Sequence, residues 1–440
     1  MNKRWFTLLS VLVLAGLVLS ACGPTPTEAP AVPATEAPAT EAPATEAPAT
    51  EAPAIEEPTC DVVTVTVWHG WDGAYLEEYI AVANQFNAEN ECVQIDLSKV
   101  DNLSDALAVS VPAGEGPDIL AWVQDQIGRN ALAGNIYPLD EWVDMAYLES
   151  TFEPAAVQAM VWQGEIWGVP EAQEGIALVY NADLLSEEDL PNPDSFDDLL
   201  AKAEAFRAEN PDMYYLCDQG LGNPDAYHVA PIYFGNGLSR YGGYIDDMGN
   251  AYMNSPEGYA AAEWIDEFRA VAPAETSHEI CQAMLTEGQA AIWWTGPWAI
   301  GDLEAAGFNY GIAPMGSPFV GIKTFMLTEN AVDRGHAEAA IEVMQYFGSV
   351  EVQTRLSLVN KTIPANTAAL NSPEIQALYT VAGFGESLNR GTPMPNHPYI
   401  DCQWGPVGDA TTALWSGAQS PQEAMDGAQA AIESCIAGMQ

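Results

Sequence analysis

Apolar and polar positions follow two different periods between residues 62 and 97. Val62–Trp68 (VVTVTVW) is rich in β-branched residues and stops just before Gly70, which predicts a strand ending in a loop. Apolar residues then recur at helical spacing at Leu76, Tyr79, Ile80, Ala83 and Phe86. Cys92–Leu97 (CVQIDL) predicts the next strand. The order strand, helix, strand predicts two parallel strands joined by a right-handed crossover.

Helices and short strands continue to alternate through the rest of the chain. Short apolar runs predict strands at 119–122, 166–169, 177–180 and 290–294, and a helix runs towards Gly134 after the first of them. Ser255-Pro256, Ser372-Pro373 and the capping box Ser420–Glu423 mark helix starts. About 380 residues follow position 59, which is more than one hydrophobic core normally serves. The pattern predicts an α/β protein with two lobes.

The first 22 residues have the pattern of an export signal. Lys3 and Arg4 precede an apolar run that ends at Leu19 and is too short to span a bilayer comfortably. The sequence Leu19-Ser20-Ala21-Cys22 resembles a bacterial lipobox. That resemblance implies that Cys22 becomes the lipid-bearing first residue of the mature protein. The alternative is a soluble secreted protein that is cut near Ala21.

Residues 23–59 have the composition of a tether. Pro, Ala, Thr and Glu dominate, and the sequence TEAP occurs five times between Thr27 and the end of the segment. Regular prolines and repelling glutamates favour an extended chain of about 3.1 Å per residue, so the segment reaches on the order of 100 Å. The frequent threonines leave a glycosylated stalk open as the alternative.

The charge of the chain narrows the choice of partners. Asp and Glu number 62 against 13 Lys and Arg, which gives a formal net charge of −49. Such acidity excludes nucleic acid as a partner and disfavours an anionic substrate. A neutral ligand is therefore expected.

The cysteines predict disulfides rather than a metal site. With Cys22 set aside, an even number remains, as expected outside the cytoplasm: Cys60, Cys92, Cys217, Cys281, Cys402 and Cys435. Cys60 and Cys92 each precede a predicted strand, so we expect this pair to meet at one sheet edge. The spacing leaves the other pairings open. No CxxC or HxxxH spacing occurs, so no metal ligands are expected.

Common motifs of catalysis are absent from the sequence. The chain has no glycine-rich phosphate loop, GxSxG elbow, HExxH pair or EF-hand loop, and no cofactor is expected. A glycoside hydrolase needs only two carboxylates at a set separation, so that class of enzyme stays open. An adhesin that uses the stalk to display a protein-binding lobe is a further alternative.

Three tryptophans surround a Gly-Pro turn in the stretch IWWTGPWAIGD, at Trp293, Trp294 and Trp298. Turns normally lie at the surface, where large apolar rings are unfavourable. Either this turn is buried and the rings belong to the core, or one ring is exposed for a ligand. The residue pattern alone leaves both interpretations open.

Ordered blocks of the chain resemble the maltose/maltodextrin-binding branch of the extracellular sugar-binding proteins that serve ABC importers. They are GPDILAWVQDQIGRNALAG (116–134), PEAQEGIALVYNADLL (170–185), EGQAAIWWTGPWAIGDL (287–303) with the following NYGIAP, PFVG (318–321) and MPNHPYIDCQW (394–404). The resemblance covers residues 60–440. It implies an α/β, two-lobed periplasmic-binding-protein fold of type II, with a hinge of crossing strands and a sugar enclosed when the lobes close.

The resemblance also implies the extent of each lobe. The first lobe is expected at 60–172 plus 327–374, and the second at 173–326 plus 375–440. Cys60 and Cys92 then share the first lobe, and the other four cysteines fall in the second. We therefore expect no disulfide between the lobes, because such a crosslink would restrain their closure.

Sugar-contacting positions of the family map onto specific residues of this chain. Trp298 occupies the stacking position, and a pyranose presents a face of C–H groups that suits a flat apolar ring. Carboxylates are expected to accept hydrogen bonds from the sugar hydroxyls. The full set implied by the resemblance is Asp72, Trp122, Asp125, Glu174, Asp225, Tyr227, Trp298 and Trp404. Trp71, an additional ring in the first loop, is expected to stack on the sugar or to cap the cleft.

Three cationic positions of the family are replaced in this chain. Gln126 stands where a basic residue is expected after Asp125, Gly73 stands where a lysine is expected beside Asp72, and an arginine is missing near Gly408. These departures leave the identity of the sugar open. A maltodextrin is favoured, and trehalose, sucrose or another di- or oligosaccharide also suits such a cleft.

The expected function is that of a lipid-anchored, non-enzymatic sugar receptor. Its partners would be a neutral di- or oligosaccharide and the membrane permease subunits of an ABC importer, with a lipid anchor as its contact with the membrane. The protein is expected to be a monomer outside the cytoplasm. The secreted glycoside hydrolase with a tryptophan-lined cleft remains the alternative.

Overall fold

The structure is a computed structural model that describes residues 60–439. The predicted signal sequence with Cys22, and the tether at 23–59, lie outside these residues. Among the helices found between residues 60 and 439, none combines the length and the apolar character needed to cross a membrane.

Strands and helices alternate along this part of the chain. The strands are β1 (Val63–His69), β2 (Val93–Lys99), β3 (Ile119–Val123), β4 (Val161–Trp162), β5 (Glu165–Ile166), β6 (Val169–Glu174), β7 (Ala177–Asn181), β8 (Tyr214–Asp218), β9 (Ala290–Thr295), β10 (Tyr310–Ala313), β11 (Phe319–Leu327), β12 (Ile363–Pro364) and β13 (Thr392–Pro393).

The helices cover the faces of the sheets that these strands form. They are α1 (Gly73–Glu89), α2 (Leu103–Ser110), α3 (Ile127–Ala133), α4 (Met145–Thr151), α5 (Pro154–Met160), α6 (Phe196–Glu209), α7 (Ala230–Gly235), α8 (Pro256–Phe268), α9 (His278–Thr286), α10 (Ile300–Ala305), α11 (Glu329–Asp333), α12 (Ala337–Phe347), α13 (Val350–Asn360), α14 (Thr367–Leu370), α15 (Pro373–Gln376), α16 (Tyr379–Leu388), α17 (Asp401–Trp415) and α18 (Pro421–Met439).

The first sheet has the strand order β12-β6-β11-β3-β1-β2, with β13 attached to β11. β1 pairs in parallel with β2, in register from Val63 opposite Val93 to His69 opposite Lys99. The parallel strand-helix-strand unit predicted from the sequence is thereby confirmed. β3 joins β1 in parallel, so the carboxyl ends of β1 and β3 lie at the same edge.

The second sheet has the strand order β10-β7-β9-β8. β8 and β9 are parallel, with Asp218 opposite Trp294 at their carboxyl ends. Two buried clusters cover the faces of this sheet: Trp294 belongs to one and Trp293 to the other. A sheet that is buried on both faces reads as a continuous apolar run, which is what AAIWW in β9 shows.

β11 is the strand that links the two halves of the molecule. Its first residues, Phe319 and Val320, pair with β13, and the stretch from Lys323 to Leu327 pairs with β3. Phe319 packs in the same core cluster as the second sheet, whereas Phe325 packs in the core of the first. The same nine-residue strand is therefore anchored in both cores.

Helix starts follow the capping residues that the sequence marks. The hydroxyl of Ser255 accepts from the backbone N–H of Gly258, and that of Ser372 accepts from Ile375. Ser420 and Glu423 form the predicted capping box, with each side chain hydrogen-bonded to the other residue's backbone N–H. These boundaries depend on local hydrogen bonds and so can be read from the sequence.

One predicted strand is divided in the structure. The run 166–169 separates into the end of β5 and the start of β6, because the N–H of Trp167 donates to Met160 O outside any sheet ladder. A Cβ atom at Gly168 would lie 2.3 Å from Thr324 Oγ1. The chain therefore leaves the β4–β5 hairpin and enters the first sheet at a point where only glycine fits.

Disulfides pair all the cysteines of the described chain: Cys60–Cys92, Cys217–Cys281 and Cys402–Cys435. The first joins the starts of β1 and β2, as the sequence predicts. The second joins β8 to α9, and the third joins the two helices α17 and α18. The cysteines at 217, 281, 402 and 435 pair among themselves, so no disulfide crosses between the segments predicted as lobes.

Candidate functional site

The carboxyl ends of parallel strands from both sheets carry most of the residues that the sequence singles out. Trp122 ends β3, and Asp125 follows it in a short 3-10 turn at Gln124–Gln126. Asp225 and Tyr227 follow β8, and Trp298 follows β9. Ligands of α/β proteins bind beyond the carboxyl ends of their strands, so these ends form the candidate site.

Asp125 is deeply buried in this site. It is 7% exposed, and its Oδ2 accepts from the Gln126 amide at 3.2 Å. Burial raises the pKa of Asp125 from 3.8 to about 7; the Gln126 amide opposes this rise, and the charges of Asp401 and Glu174 add to it. The nearby Trp122 is 37% exposed at the end of β3. The site therefore presents a carboxyl group of raised pKa beside an accessible ring.

Glu174 forms an ion pair with Lys323 at the junction of the two halves. Glu174 Oε2 lies 2.9 Å from Lys323 Nζ, and both side chains are mostly buried. The pair sits on β6 and β11, where Gly321 is the register partner of Glu174. The positive charge next to Glu174 comes from the linking strand β11.

The carboxylate of Asp225 binds the loop that contains Tyr227 and His228. Its Oδ1 accepts from the backbone N–H groups of both residues, and its Oδ2 lies 2.7 Å from His228 Nδ1. Burial alone would raise the pKa of Asp225, but the hydrogen bonds and charge of His228 outweigh it, so the pKa is lowered. Asp225 therefore stays ionised and fixes the loop that carries Tyr227.

Aromatic rings form a connected wall in the second half of the molecule. The ring centroid of Tyr227 is 6.3 Å from that of Trp298 and 6.2 Å from that of Phe319. Phe319 in turn packs edge-on against Trp404 at 5.6 Å. Trp298 and Trp404 are only partly buried. The structure thus brings Tyr227, Trp298 and Trp404 together, as the resemblance implies.

Two of the predicted residues lie apart from this wall. The ring of Trp71 is 8% exposed and stacks on Tyr79 at 3.6 Å and on His69 at 4.6 Å. Its faces are therefore occupied by protein. Asp72 is exposed, caps the start of α1 and forms an ion pair with Lys99.

Lysines occur in this region that sequence reasoning did not find. Lys99 pairs with Asp72, although the residue next to Asp72 in the sequence is Gly73. The two meet because β2 runs parallel to β1, so Lys99 at the end of β2 lies at the same sheet edge as the end of β1. Lys323 stands beside Glu174. A signal for Lys323 was present, since it is a lone charged residue in the apolar run FVGIKTFML.

Glu171 is a further acid of the site that the sequence did not indicate. It is 3% exposed and accepts a hydrogen bond from the hydroxyl of Tyr79. Burial, with a smaller contribution from Glu174, raises the pKa of Glu171 from 4.5 to about 8, although the charge of Lys323 lowers it. Glu171 and Glu174 therefore face the same lysine.

Several buried polar atoms without hydrogen-bond partners lie at or just after the carboxyl ends of β3, β8 and β9. Among the described residues they include Asp125 Oδ1, Asp218 Oδ2, Gln219 Oε1, Tyr227 OH, His228 Nε2 and Thr295 Oγ1. Native proteins satisfy nearly all buried polar groups. A ligand rich in hydroxyl groups provides both donors and acceptors for such atoms.

A cavity of about 830 Å³ lies on the other face of β11. Val320 and Ile322 line it, whereas the side chain of Lys323 lies on the opposite face of the strand, because successive side chains of a strand alternate. None of the predicted sugar-binding residues borders this cavity. It is therefore separate from the site that contains Glu174 and Trp298.

Two ion pairs bridge segments that the sequence assigns to different lobes. Arg129 Nη1 lies 3.2 Å from Asp401 Oδ2, and Lys361 Nζ lies 3.6 Å from Glu304 Oε2. The first pair is next to Asp125, since the charge of Asp401 acts on it. The segments that carry the site residues are thus in contact with each other in this structure.

Comparison with known families gives a match over most of the chain. The model of the family described as bacterial extracellular solute-binding protein matches residues 81–382. This match includes the strand ends that carry Trp122, Glu174, Asp225 and Trp298.

Individual relatives are similar over most of their own length. The maltotriose-binding protein of Pyrococcus abyssi (strain GE5 / Orsay) is 29% identical over 365 residues, 79% of this chain and 76% of that protein. The maltooligosaccharide ABC transporter solute-binding lipoprotein of Streptococcus pneumoniae (strain ATCC BAA-255 / R6) is 24% identical over 448 residues, 97% of this chain and 96% of that protein.

The fold is shared with a solved structure of a maltose/maltodextrin-binding domain from Bdellovibrio bacteriovorus bound to maltotriose. The TM-score is 0.75 at 23% identity, and the match covers 85% of this chain and 100% of that domain. The predicted two-lobed periplasmic-binding-protein fold is thereby confirmed.

Proposed function

Because the chain belongs to the bacterial extracellular solute-binding protein family, we propose that it binds a neutral oligosaccharide between its two lobes and delivers it to an ABC importer. The observation that carries this proposal is that partly buried aromatic rings and buried polar atoms without hydrogen-bond partners lie together at the strand ends. A sugar offers an apolar C–H face to the rings and hydroxyl groups to the polar atoms.

A maltooligosaccharide is the sugar that we favour. Relatives in an archaeon and in a bacterium are named for maltotriose and for maltooligosaccharides, respectively. The chemistry of the site agrees with a neutral ligand, because its acids Glu174 and Asp225 already have cationic or hydrogen-bonding partners. An anionic sugar would meet the remaining negative charge of an acidic chain.

The proposed contact set follows the geometry of the site. Trp298, Trp404 and Trp122 provide apolar faces, and Tyr227 provides a ring and a hydroxyl. Asp125, Glu174 and Asp225 accept from sugar hydroxyls. Trp71 is left out of the set, because its ring is stacked between protein rings. Asp72 stays in the set as an exposed carboxylate that pairs with Lys99 at the carboxyl end of β1.

Closure of two lobes is the proposed mode of binding. We place the first lobe at 60–172 plus 327–374 and the second at 173–326 plus 375–440. The core around the first sheet supports most of this division, since its buried residues come from Val65–Val169 and Ile322–Ala365. Ile322, Phe325 and Met326 are the exceptions: they lie on β11, within the range placed in the second lobe, and pack in the core of the first. Sugar contacts from both lobes would favour the closed form by their combined binding energy.

Attachment to the membrane is proposed to come through Cys22. The lipobox and the tether at 23–59 support this proposal, and the pneumococcal relative is described as a lipoprotein. A tether that reaches on the order of 100 Å lets a monomeric receptor collect sugar and then dock on permease subunits. The site of action is therefore the outer side of the cell membrane.

One titration separates a receptor from a glycoside hydrolase. The purified protein is incubated with maltose, maltotriose, maltotetraose, trehalose, sucrose and a β-linked control such as cellotriose. Tryptophan emission and calorimetry report binding, and a reducing-end assay reports turnover. We expect saturable binding of at least one maltooligosaccharide and no new reducing ends.

Two results would contradict the proposal in different ways. Steady release of reducing ends from any sugar would replace the receptor with a glycoside hydrolase. The absence of both binding and turnover across the panel would favour the adhesin alternative instead.

A further inference from the structure

Lys323 lies where the resemblance to known sugar receptors gives no reason to expect a cation. It is near the middle of β11, a strand otherwise made of apolar residues, glycine and threonine. Its side chain is 17% exposed, and a buried lysine is costly unless its charge is compensated. A chain with 62 acids and 13 Lys and Arg has placed one of its few cations inside its central strand.

Glu174 and Tyr75 compensate this charge. Lys323 Nζ lies 2.9 Å from Glu174 Oε2 and donates to the hydroxyl of Tyr75 at 2.9 Å. The ammonium also lies 4.4 Å from the centre of the Tyr75 ring. Burial lowers the pKa of Lys323, but the charges of Glu174 and Glu171 outweigh burial, so the pKa is raised. Lys323 therefore stays protonated in the folded protein.

The ammonium group has a donor left over. A lysine carries three N–H donors, and Glu174 and Tyr75 take two of them. The charge of Lys323 also acts on the phenol of Tyr227, which belongs to the aromatic wall beside Trp298. The described residues offer no third acceptor for this ammonium, so one donor is left for a ligand.

The position of Lys323 connects the site to the linking strand. Lys323 pairs with Val123 of β3 and Ala172 of β6, while residues 319 and 320 of the same strand pair with β13. A ligand group held by Lys323 is therefore held at the point where β11 passes from one core to the other.

We propose that Lys323 is a sugar-contacting and specificity-determining residue, and that the Lys323–Glu174 pair binds two neighbouring hydroxyl groups of one sugar ring. The ammonium donates to one oxygen, and the carboxylate accepts from the adjacent hydroxyl. This geometry supplies a cation that the sequence lacks at Gln126, whereas Lys99 already supplies one beside Asp72. The proposal rests on the proposed function, since it names the contact that would select the sugar in that same site.

Substitution of Lys323 tests the proposal directly. Lys323→Met is expected to weaken maltotriose binding roughly tenfold to a hundredfold, because a hydrogen bond to a charged group is lost. Lys323→Arg keeps a charge and donors on a longer side chain and is expected to recover part of the loss. Lys202→Met is the matched control, since Lys202 donates to Glu188 O on the surface and contacts none of these groups.

Deoxy sugars distinguish contact from a purely structural role. Monodeoxy derivatives of maltotriose are titrated against the parent protein and Lys323→Met, as in a double-mutant cycle. At least one derivative should lose much less affinity in the variant than in the parent, because its missing hydroxyl is the partner of Lys323. If Lys323→Met fails to fold, Lys323→Gln, which keeps a neutral donor beside the buried Glu174, serves in its place.

The outcomes separate the two proposals. A parent protein that binds no sugar of the panel overturns both. A parent that binds maltotriose, with a folded Lys323→Met protein that binds it equally well, overturns the role of Lys323 alone. The same conclusion follows if affinity falls but every deoxy derivative is affected equally in the two proteins.

Discussion

The three tryptophans of IWWTGPW occupy two kinds of surroundings. Trp293 and Trp294 have no exposed surface and pack on opposite faces of the second sheet. Trp298 follows the Gly296-Pro297 turn, stays partly exposed and lies 5.9 Å from the ring of His228. The strand residues are therefore core, and the ring after the turn is the one that faces the site.

Truncation of Trp298 should affect binding more than folding. Stacking on one sugar face buries roughly 80 Å², so Trp298→Ala should lose about 2 kcal/mol of binding, a factor near thirty. The melting temperature should change little, because the ring is only partly buried. Calorimetry with maltotriose and thermal unfolding of the same sample check the two effects.

Trp293→Ala is the matched control for this prediction. Deleting a fully buried aromatic side chain should cost about 3–5 kcal/mol of stability. A Trp298→Ala protein that binds every sugar as tightly as its parent would end the stacking hypothesis, whatever its melting temperature.

The buried carboxyl group of Glu171 should make the stability of the fold depend on pH. Its pKa is about 8 in the folded protein, above the ordinary value of 4.5, because burial disfavours the charged form. The stability that comes from keeping it protonated is complete below pH 4.5 and is lost as the pH rises through about 8. Glu171→Gln keeps an acceptor for Tyr79 but cannot ionise.

The free energies of unfolding of Glu171→Gln and of its parent should therefore differ more as the pH rises. At pH 4 the free energies of unfolding should differ little, and at pH 9 Glu171→Gln should be more stable by a few kcal/mol, at about 1.4 kcal/mol per unit of pKa. Urea unfolding at several pH values measures the difference. Parallel curves from pH 4 to pH 9 would show that Glu171 ionises normally in the folded protein.

At the scale of elements, the disulfides fasten different parts of the molecule. Cys60–Cys92 closes β1 and β2 at their amino ends, at the opposite end of these strands from the site. Cys402–Cys435 joins α17 to α18, and α17 also carries Asp401 and Trp404. One crosslink therefore supports only the fold, and the other also supports part of the site.

Removal of each crosslink should show this difference. Closing loops with sequence separations of 32 and 33 contributes about 3–4 kcal/mol in the chain-entropy model. Cys60→Ser/Cys92→Ser should lower stability by this amount and leave sugar affinity unchanged. Cys402→Ser/Cys435→Ser should lower both. Equal affinities in the two double variants would argue against a role for α17 in the site.

At the scale of the whole molecule, contacts between the two proposed lobes hold the site residues together. Arg129–Asp401 and Lys361–Glu304 bridge the segments on either side of β11. Each pair is partly exposed, so each contributes at most about 1 kcal/mol. The equilibrium between open and closed lobes is sensitive to such small energies, because one sugar must shift it.

Loss of both ion pairs should favour the open form. Arg129→Gln with Lys361→Met should weaken maltotriose binding by no more than about thirtyfold, with each pair contributing up to about 1 kcal/mol. Small-angle scattering should show a larger radius of gyration without sugar and compaction when sugar is added. A radius that stays the same in parent and variant, with and without sugar, would contradict lobe closure.

Prediction from the sequence succeeds where the cause is local. The strand-helix-strand unit, the caps at Ser255, Ser372 and Ser420, and the Cys60–Cys92 pair depend on side chains close in the sequence or on simple periodicity. The split of the run 166–169 was missed, because the close approach of Thr324 to Gly168 comes from a strand far along the chain.

The sequence by itself determined the α/β class, the resemblance to sugar receptors and the group of rings and acids near the strand ends. The tertiary structure alone decided which rings are core and which acids acquire a cation. Trp71 and Trp298 both follow strands in the sequence. Trp71 is buried because it stacks on Tyr79, whereas Trp298 stays partly exposed. Glu174 meets Lys323 only because β6 and β11 pair antiparallel across 149 positions of sequence separation (323 − 174). Burial and charge compensation depend on all neighbours in space, and a sequence gives only the neighbours along the chain.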